Sequence, residues 1–237
     1  SVTFPSSENS SLREIGKFAF ADCTSLEILS RVPPSLVIIG DSAFRECVSI
    51  KSVNFSSVES SLESVGNECF YHCSSLDEVT FFPSQVRTIG NHCFCKCDKL
   101  RSFSFGAESS SSCCSLEDIG EYCFCDCFCL EKVLSIPVTL RRVGDSAFYK
   151  CQKLRLITFG SSREDERLGS LEEIGNEAFY GCGDLEIVVM IPSTVRRIGE
   201  SAFFQCKNIK LVVFEPLNSK LEEIGSKAFY ECENLLS

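Results

Sequence analysis

One short pattern recurs nine times along the 237-residue chain, and it constrains the fold more than any other feature. Each copy reads Leu/Val-x-x-Ile/Val-Gly-x-x-Ala/Cys-Phe-x-x-Cys-x-x-Leu/Ile, as in LEEIGNEAFYGCGDL at residues 171–185. A unit this short cannot bury its own apolar face, so we expect neighbouring units to stack as a solenoid. The nine glycines that anchor the copies are Gly16, Gly40, Gly66, Gly90, Gly120, Gly144, Gly175, Gly199 and Gly225.

The spacing of these glycines predicts a paired repeat within one continuous domain. Successive gaps are 24, 26, 24, 30, 24, 31, 24 and 26 residues, so a constant gap alternates with a variable one. The two longest gaps hold the inserts at 106–115 and 160–170, which we predict to be surface loops. No change of composition marks a linker, so residues 1–237 are predicted to be a single domain. Because the chain begins and ends within the pattern, we expect a fragment of a longer protein.

Each copy predicts one short strand followed by a tight connection. Apolar residues after the Cys, such as Ile50, Val53 and Phe55, have the spacing of a strand in a parallel sheet, one strand per coil. Segments such as 40–47 fit a turn or a short helix on the opposite side, where Gly permits a tight backbone. Four prolines are predicted to end strands by removing a backbone donor. They are Pro33, Pro83, Pro137 and Pro192.

The repeat resembles the BspA-like (treponemal-type) leucine-rich repeat, whose unit reads LxxIxIPxxVxxIGxxAFxxC. The resemblance covers essentially the whole chain, because all nine copies keep the Ile/Val-Gly, Phe and Cys columns. In one respect the chain departs from that unit: Pro83 falls seven residues after Leu76, one more than usual, which predicts a bulge or a shifted bend. The resemblance implies an α/β leucine-rich repeat right-handed solenoid of about nine coils. Its parallel β-sheet would form the concave face, with short helices or turns on the other side.

Charges alternate along the predicted stack. The residue after the strand Leu or Ile changes sign at each step, and adjacent strands lie about 4.8 Å apart, so each charge is expected between two opposite ones. We predict a ladder that pairs internally, disfavours a slip by one coil and makes a poor ligand site. Its members are Glu27, Lys51, Asp77, Arg101, Glu131, Arg155, Glu186 and Lys210, and a second column holds Arg141, Glu172, Arg196 and Glu222.

Most cysteines of this cysteine-rich chain fall in repeat columns. The total of 17 is odd, so at least one thiol stays free in a monomer. Three cysteines, Cys69, Cys93 and Cys123, replace the Ala of the repeat, and we predict that they and the main column are buried packing residues. That main column holds Cys23, Cys47, Cys73, Cys97, Cys127, Cys151, Cys182, Cys206 and Cys232.

Cys95 and Cys125 form the candidate disulfide. They occupy the position after Phe, where five other coils carry Tyr71, Tyr149, Tyr180, Phe204 or Tyr230, and they stack on adjacent coils. Cys113 and Cys114 lie in the insert between those coils, so a thiolate metal site is the open alternative, although no C-x2-C pair supports zinc. Cys129 has no assigned role. A Cys93–His92 nucleophile pair is disfavoured, because sequence neighbours rarely face each other.

Several functional classes are disfavoured by composition. A net charge of −10 argues against duplex nucleic acid, and no apolar run reaches the roughly 18 residues of a membrane span. The chain has two His, no phosphate-binding Gly loop and no Asp/Glu pair apart from the ladder. We therefore expect no enzyme, no catalytic residues, no metal and no cofactor.

The outward strand positions suggest where a partner would bind. They are polar in the first coils, at Ser52, Asn54, Glu78, Thr80, Ser102 and Ser104. They turn apolar later, at the candidate protein-contact residues Leu134, Leu156, Ile187, Val189, Leu211 and Val213. Exposed aliphatics on adjacent strands indicate a protein contact. The alternatives are a shifted register there, or a covering segment outside this sequence.

These features predict a non-catalytic protein-binding module whose protein ligand is unknown. The resemblance implies a cell-surface or secreted adhesin that contacts host or partner proteins. Two sequons, at Asn9 and Asn54, also favour secretion, although Asn54 falls in a predicted strand. The alternative is an intracellular, cytoplasmic leucine-rich repeat scaffold with reduced thiols.

Overall fold

The chain folds into stacked coils, most of which contribute two short parallel strands within the described residues. A computed structural model describes residues 1–4, 10–29, 32–55, 60–105, 114–134, 136–155, 157, 169–185, 188–216 and 218–236. Within these ranges the strands are β1 (Glu14–Ile15), β2 (Ile28–Leu29), β3 (Ile38–Ile39), β4 (Ser52–Asn54), β5 (Ser64–Val65), β6 (Glu78–Phe82), β7 (Thr88–Ile89), β8 (Ser102–Phe105), β9 (Asp118–Ile119), β10 (Lys132–Leu134), β11 (Arg142–Val143), β12 (Glu173–Ile174), β13 (Val188–Ile191), β14 (Arg197–Ile198), β15 (Leu211–Phe214) and β16 (Glu223–Ile224).

Three parallel sheets lie along the stack instead of the single one that we predicted. The two-residue strands just before each repeat glycine form a nine-stranded parallel sheet in the order β1-β3-β5-β7-β9-β11-β12-β14-β16. The longer strands form a five-stranded sheet, β2-β4-β6-β8-β10, and a separate pair, β13-β15. The prediction of a parallel-strand solenoid is confirmed, and the prediction of one strand per coil is wrong.

The side opposite the longer strands is made of turns, and no helix occurs within the described residues. In each coil two residues take left-handed backbone angles, such as Ser42 (φ 54°) and Glu46 (φ 58°). Alternate N–H groups therefore point at the next coil: Ser42 donates to the Asn67 carbonyl at 2.8 Å and Phe44 to the Cys69 carbonyl at 2.9 Å. A helix would need those donors for its own bonds, which is why the turn alternative prevails over the helical one.

The core is built from the repeat columns. Nine phenylalanines stack face to face with centroids 5.1 to 5.4 Å apart, in the order Phe20, Phe44, Phe70, Phe94, Phe124, Phe148, Phe179, Phe203 and Phe229. Beside them, thiols of the main cysteine column donate to the phenylalanine carbonyl of the preceding coil, as Cys151 does to Phe124 at 3.1 Å. The repeat glycines allow coils to approach, since a Cβ on Gly90 would lie 2.4 Å from the Gly66 carbonyl carbon.

The predicted bulge is present in the coil that ends at Pro83. The register between β6 and β8 shifts between Val79 and Phe82, so that Val79 pairs with Phe103 and Phe82 pairs with Phe105. The extra residue of this coil is absorbed there, and both Val79 and Phe82 stay buried.

Candidate functional site

The outward side chains of the five-stranded sheet and of the β13-β15 pair are here called the strand face. In the first coils the predicted polar residues lie there: Ser52, Asn54 and Glu78 are exposed, and Thr80 and Ser102 are half-buried. Ile28 on β2 is an apolar exception, 57% exposed beside Ser52. The residues between them point inward, such as Val53 and Val79, and are buried in the core. This alternation fixes which residues a partner could touch.

Toward the other end the strand face becomes apolar. Leu211 on β15 is 43% exposed, Met190 on β13 is 38% exposed, and Val213 is half-buried. Met190 is the register partner of Val213, and Val188 is the partner of Leu211. Met190, Leu211 and Val213 therefore form one contiguous group, here called the apolar strand patch.

The prediction that Val189 faces outward is wrong. Val189 is 3% exposed and pairs with Val212 on the core side of the sheet. Aligning the buried Leu185 with the buried Ile209 predicts that residue 187 matches Leu211, but the structure matches Val188 with Leu211. A one-residue slip exchanges the two faces of a strand, so Val189 turns inward and Met190, which the sequence reading missed, turns outward.

The side chains of the other three candidate contact residues lie outside the described part of the chain, so their role stays a prediction. The backbone of Leu134 pairs with Ser104, but its side chain lies outside the described residues, as do Leu156 and Ile187 altogether. Lys132, the register partner of Ser102, is exposed on the same face. Within the described residues the strand face is therefore apolar on β13 and β15 and at Ile28 on β2, which is 57% exposed and pairs with Ser52, with a cation at Lys132 on β10.

Within the described residues, the charged columns beside the strand face form separate ion pairs and not the continuous ladder that we predicted: Lys51 does not pair with Asp77, nor Arg101 with Glu131. Lys51 bonds Glu27 at 2.9 Å and Arg101 bonds Asp77 at 3.1 Å. In the second column, Arg141–Glu172 and Arg196–Glu222 pairs form at 2.9 and 3.1 Å. Glu186 lies outside the described residues. Carboxylates already held by neighbouring cations are poor ligands for an outside partner.

A third charged column was missed. On the short-strand sheet, Arg142 lies 3.6 Å from Asp118 and from Glu173, and Arg197 binds Glu173 at 2.9 Å. Burial raises the pKa of Asp118, an effect that Arg142 partly offsets. The sequence already shows this alternation of charge two residues before the later repeat glycines, at Asp118, Arg142, Glu173, Arg197 and Glu223.

Most cysteines are structural, and none of the described ones is in a disulfide. The main column is buried from Cys47 to Cys206 as predicted, but Cys23 is exposed and Cys232 is half-buried at the two ends. Burial raises the pKa of inner thiols such as Cys97 and Cys127, so they stay protonated. Cys93 is fully buried, whereas His92 stacks on Tyr122 with centroids 4.8 Å apart. No group of three or more His, Cys, Asp or Glu within the described ranges could hold a metal ion.

Cys95 and Cys125 are 4% and 7% exposed, and their thiols lie within hydrogen-bonding reach of each other. Cys114 and Cys129 are half-buried, and Cys113 lies outside the described residues. The candidate disulfide therefore has the proximity that it needs, with both sulfurs as free thiols in this structure.

A search of the described residues for a helix able to cross a membrane finds none.

Comparison with known proteins agrees with this architecture. A family model described as "BspA type Leucine rich repeat region" matches residues 1–113 and 117–237 in six copies. The crystal structure of the T. pallidum leucine-rich repeat protein TpLRR is 28% identical, with a TM-score of 0.58 over 76% of this chain and 75% of that chain. A leucine-rich repeat protein from Eubacterium ventriosum shares the fold at 17% identity and a TM-score of 0.52, over 97% of this chain and 45% of that chain. No curated protein matches the sequence.

Proposed function

Because the chain belongs to the BspA-type leucine-rich repeat family, we propose that it is a non-catalytic protein-binding module, a cell-surface or secreted adhesin that contacts host or partner proteins. An array of stacked coils presents a long, regular surface, which suits binding better than chemistry. The strand face is the part of that surface whose side chains are not used by the stack itself.

The apolar strand patch is the observation that carries the proposal. Met190 and Leu211 lie diagonally across two paired strands, with Val213 directly beside Met190, and both keep more than a third of their surfaces in water. Covering an exposed Leu or Met recovers about 1.5 to 3 kcal/mol of transfer free energy when burial is complete. In the coils of the patch, Arg196 and Glu222 pair with each other at 3.1 Å, so a partner would be held mainly by apolar contact at the patch.

The direct test substitutes charge into the patch. The biotinylated chain is used to capture protein from surface extracts of candidate host cells, and the affinity of the captured protein is then measured by biolayer interferometry. We expect Leu211→Asp to weaken binding at least roughly tenfold, because an ionised carboxylate would be buried without a partner. The matched control is Ser52→Asp, which places the same charge at an exposed position of the same column, on β4, and should bind like wild type. Wild-type affinity in Leu211→Asp would refute the assignment of the patch.

The location of the protein is tested separately. Family membership supports a surface or secreted protein, and the side chain of Asn54, in a sequon, is exposed on the strand face. Antibody labelling of intact cells of the native source should detect the protein without permeabilisation. Labelling that requires permeabilised cells would instead support the intracellular scaffold, for which the free column thiols are the favouring observation.

A further inference from the structure

The column after the stacked phenylalanines changes chemistry in the middle of the solenoid. In the later coils it is an aromatic stack: Tyr149 and Tyr180 have centroids 4.9 Å apart, Tyr180 and Phe204 4.7 Å, and Phe204 and Tyr230 5.4 Å. Two consecutive coils carry Cys95 and Cys125 at this position. The ring contacts that hold neighbouring coils together elsewhere are therefore missing there.

These two cysteines meet the geometric requirements of a cross-coil bond. The Lys96 N–H donates to the Cys125 carbonyl at 2.8 Å, so their coils are direct neighbours. Equivalent positions on neighbouring coils lie about 4.8 Å apart, inside the 4.4–6.8 Å Cα range that disulfides use. The two thiols are already within hydrogen-bonding reach of each other.

The other described cysteines of the repeat columns make different contacts. In the main column each described thiol from Cys47 onward donates to a phenylalanine carbonyl of the preceding coil, at 3.0 to 3.3 Å. Cys69 and Cys93 also touch each other, but both are fully enclosed beneath the phenylalanine stack. Among the described pairs, Cys95 and Cys125 combine mutual contact with a small residual exposure of 4% and 7%, which Cys69 and Cys93 lack.

We propose that Cys95 and Cys125 form a disulfide that ties two adjacent coils together at the gap in the aromatic column. Each thiol loses its proton, the two sulfurs bond, and the two electrons pass to a reagent disulfide, which is reduced to two thiols. The oxidant class is a low-molecular-weight disulfide or a protein disulfide oxidoreductase. The bond requires an oxidising compartment, so its presence in the native protein rests on the proposed surface location, while its formation in vitro does not.

The surroundings also set when the bond forms. The hydrogen bond with Cys95, followed by burial, raises the pKa of the Cys125 thiol. Disulfide exchange proceeds through the thiolate, so the folded, reduced protein should react slowly. The bond should form mainly during folding, before the coils close around the pair.

The experiment uses the purified full chain without a partner. The protein is unfolded and reduced, refolded in a buffer of oxidised and reduced glutathione, alkylated and analysed by intact mass and peptide mapping. We expect a loss of two hydrogen atoms and a linkage between the peptides that contain Cys95 and Cys125. In Cys95→Ser the linkage should disappear. In Cys93→Ala, which restores the residue of most other coils, it should persist.

Two results would overturn the proposal: refolded wild type with every cysteine alkylated, or a linkage that survives in Cys95→Ser. Because neither result involves a partner or a cell, a failure here is distinguishable from a failure of the binding proposal. Non-reducing peptide mapping of protein from its native source then reports on the compartment alone.

Discussion

Placing a methyl group on a repeat glycine should separate two coils of the stack. We choose Gly90→Ala, because a Cβ at this position would lie 2.4 Å from the carbonyl carbon of Gly66 and 2.5 Å from the Asn67 nitrogen. Both are backbone atoms of the preceding coil and cannot rotate away. The new contact falls roughly 1 Å short of the ~3.5 Å at which carbon atoms pack.

The expected loss of stability follows from the contacts between the two coils that must lengthen. The Gly90 N–H donates to the Val65 carbonyl at 3.0 Å, and Phe70 stacks on Phe94 at 5.3 Å in the same interface. Moving the coils apart weakens that hydrogen bond, worth about 1 kcal/mol, and adds an overpacking cost of about 2 kcal/mol. A total near ~3 kcal/mol corresponds to a fall in Tm of roughly 6 to 12 °C for a chain of this size.

Thermal and urea unfolding followed by circular dichroism measures this effect. The matched control is Gly183→Ala, because a Cβ there would meet no atom within 4 Å. This control should unfold at the wild-type temperature or slightly above it, since Ala restricts the unfolded chain. If Gly90→Ala and Gly183→Ala have the same Tm, close approach of the coils is not the reason for the glycine column.

Two further predictions concern the thiol column and the charge ladder. Burial raises the pKa of Cys47 to about 11 from its usual 9.0, so its stabilising contribution is complete below about pH 9 and is lost as the pH rises to about 11. The urea midpoint should fall over that pH interval, and it should fall less in Cys47→Ala. Equal declines in the two proteins would show that the Cys47 thiol does not cause the effect. Glu27→Lys places a cation beside Lys51, so Tm should drop at about 20 mM salt and recover at about 500 mM. The double exchange Glu27→Lys/Lys51→Glu should restore Tm at low salt. A loss of Tm in Glu27→Lys that does not depend on salt concentration would argue against ionic pairing.

The repeat pattern predicts the columns well because each coil places the same position beside its neighbour. The Phe and Cys columns, and ion pairs such as Arg101–Asp77, follow directly from the alignment of the copies. Predicting which residues stack in a column requires no knowledge of the local backbone conformation. Their packing is set by the stacking of equivalent positions.

Features that depend on local backbone geometry were less predictable. The second strand of each coil is two residues long, too short for an alternating pattern, so the sequence gives no period to detect. The turns resemble a short helix in sequence, and only the hydrogen bonds to the next coil distinguish them.

The prediction of the outward-facing residues was limited in the same way, because it depends on the local register of the strands. The segments 185–192 and 209–216 have equal lengths, and nothing in them tells where one strand slips against the other. That slip decided which of Val189 and Met190 faces outward. The contact role itself stays a prediction for Leu211 and Val213.

Met190 provides the most direct test of the central claim, because it is the single methionine of the chain and lies in the apolar strand patch. After the accessible thiols have been alkylated, brief peroxide treatment followed by peptide mapping reports the oxidation of Met190 by itself. The free protein should be oxidised readily, and saturation with the captured partner should slow the reaction at least about tenfold, as expected for a side chain buried in an interface. An unchanged oxidation rate in the saturated complex would contradict binding through the patch.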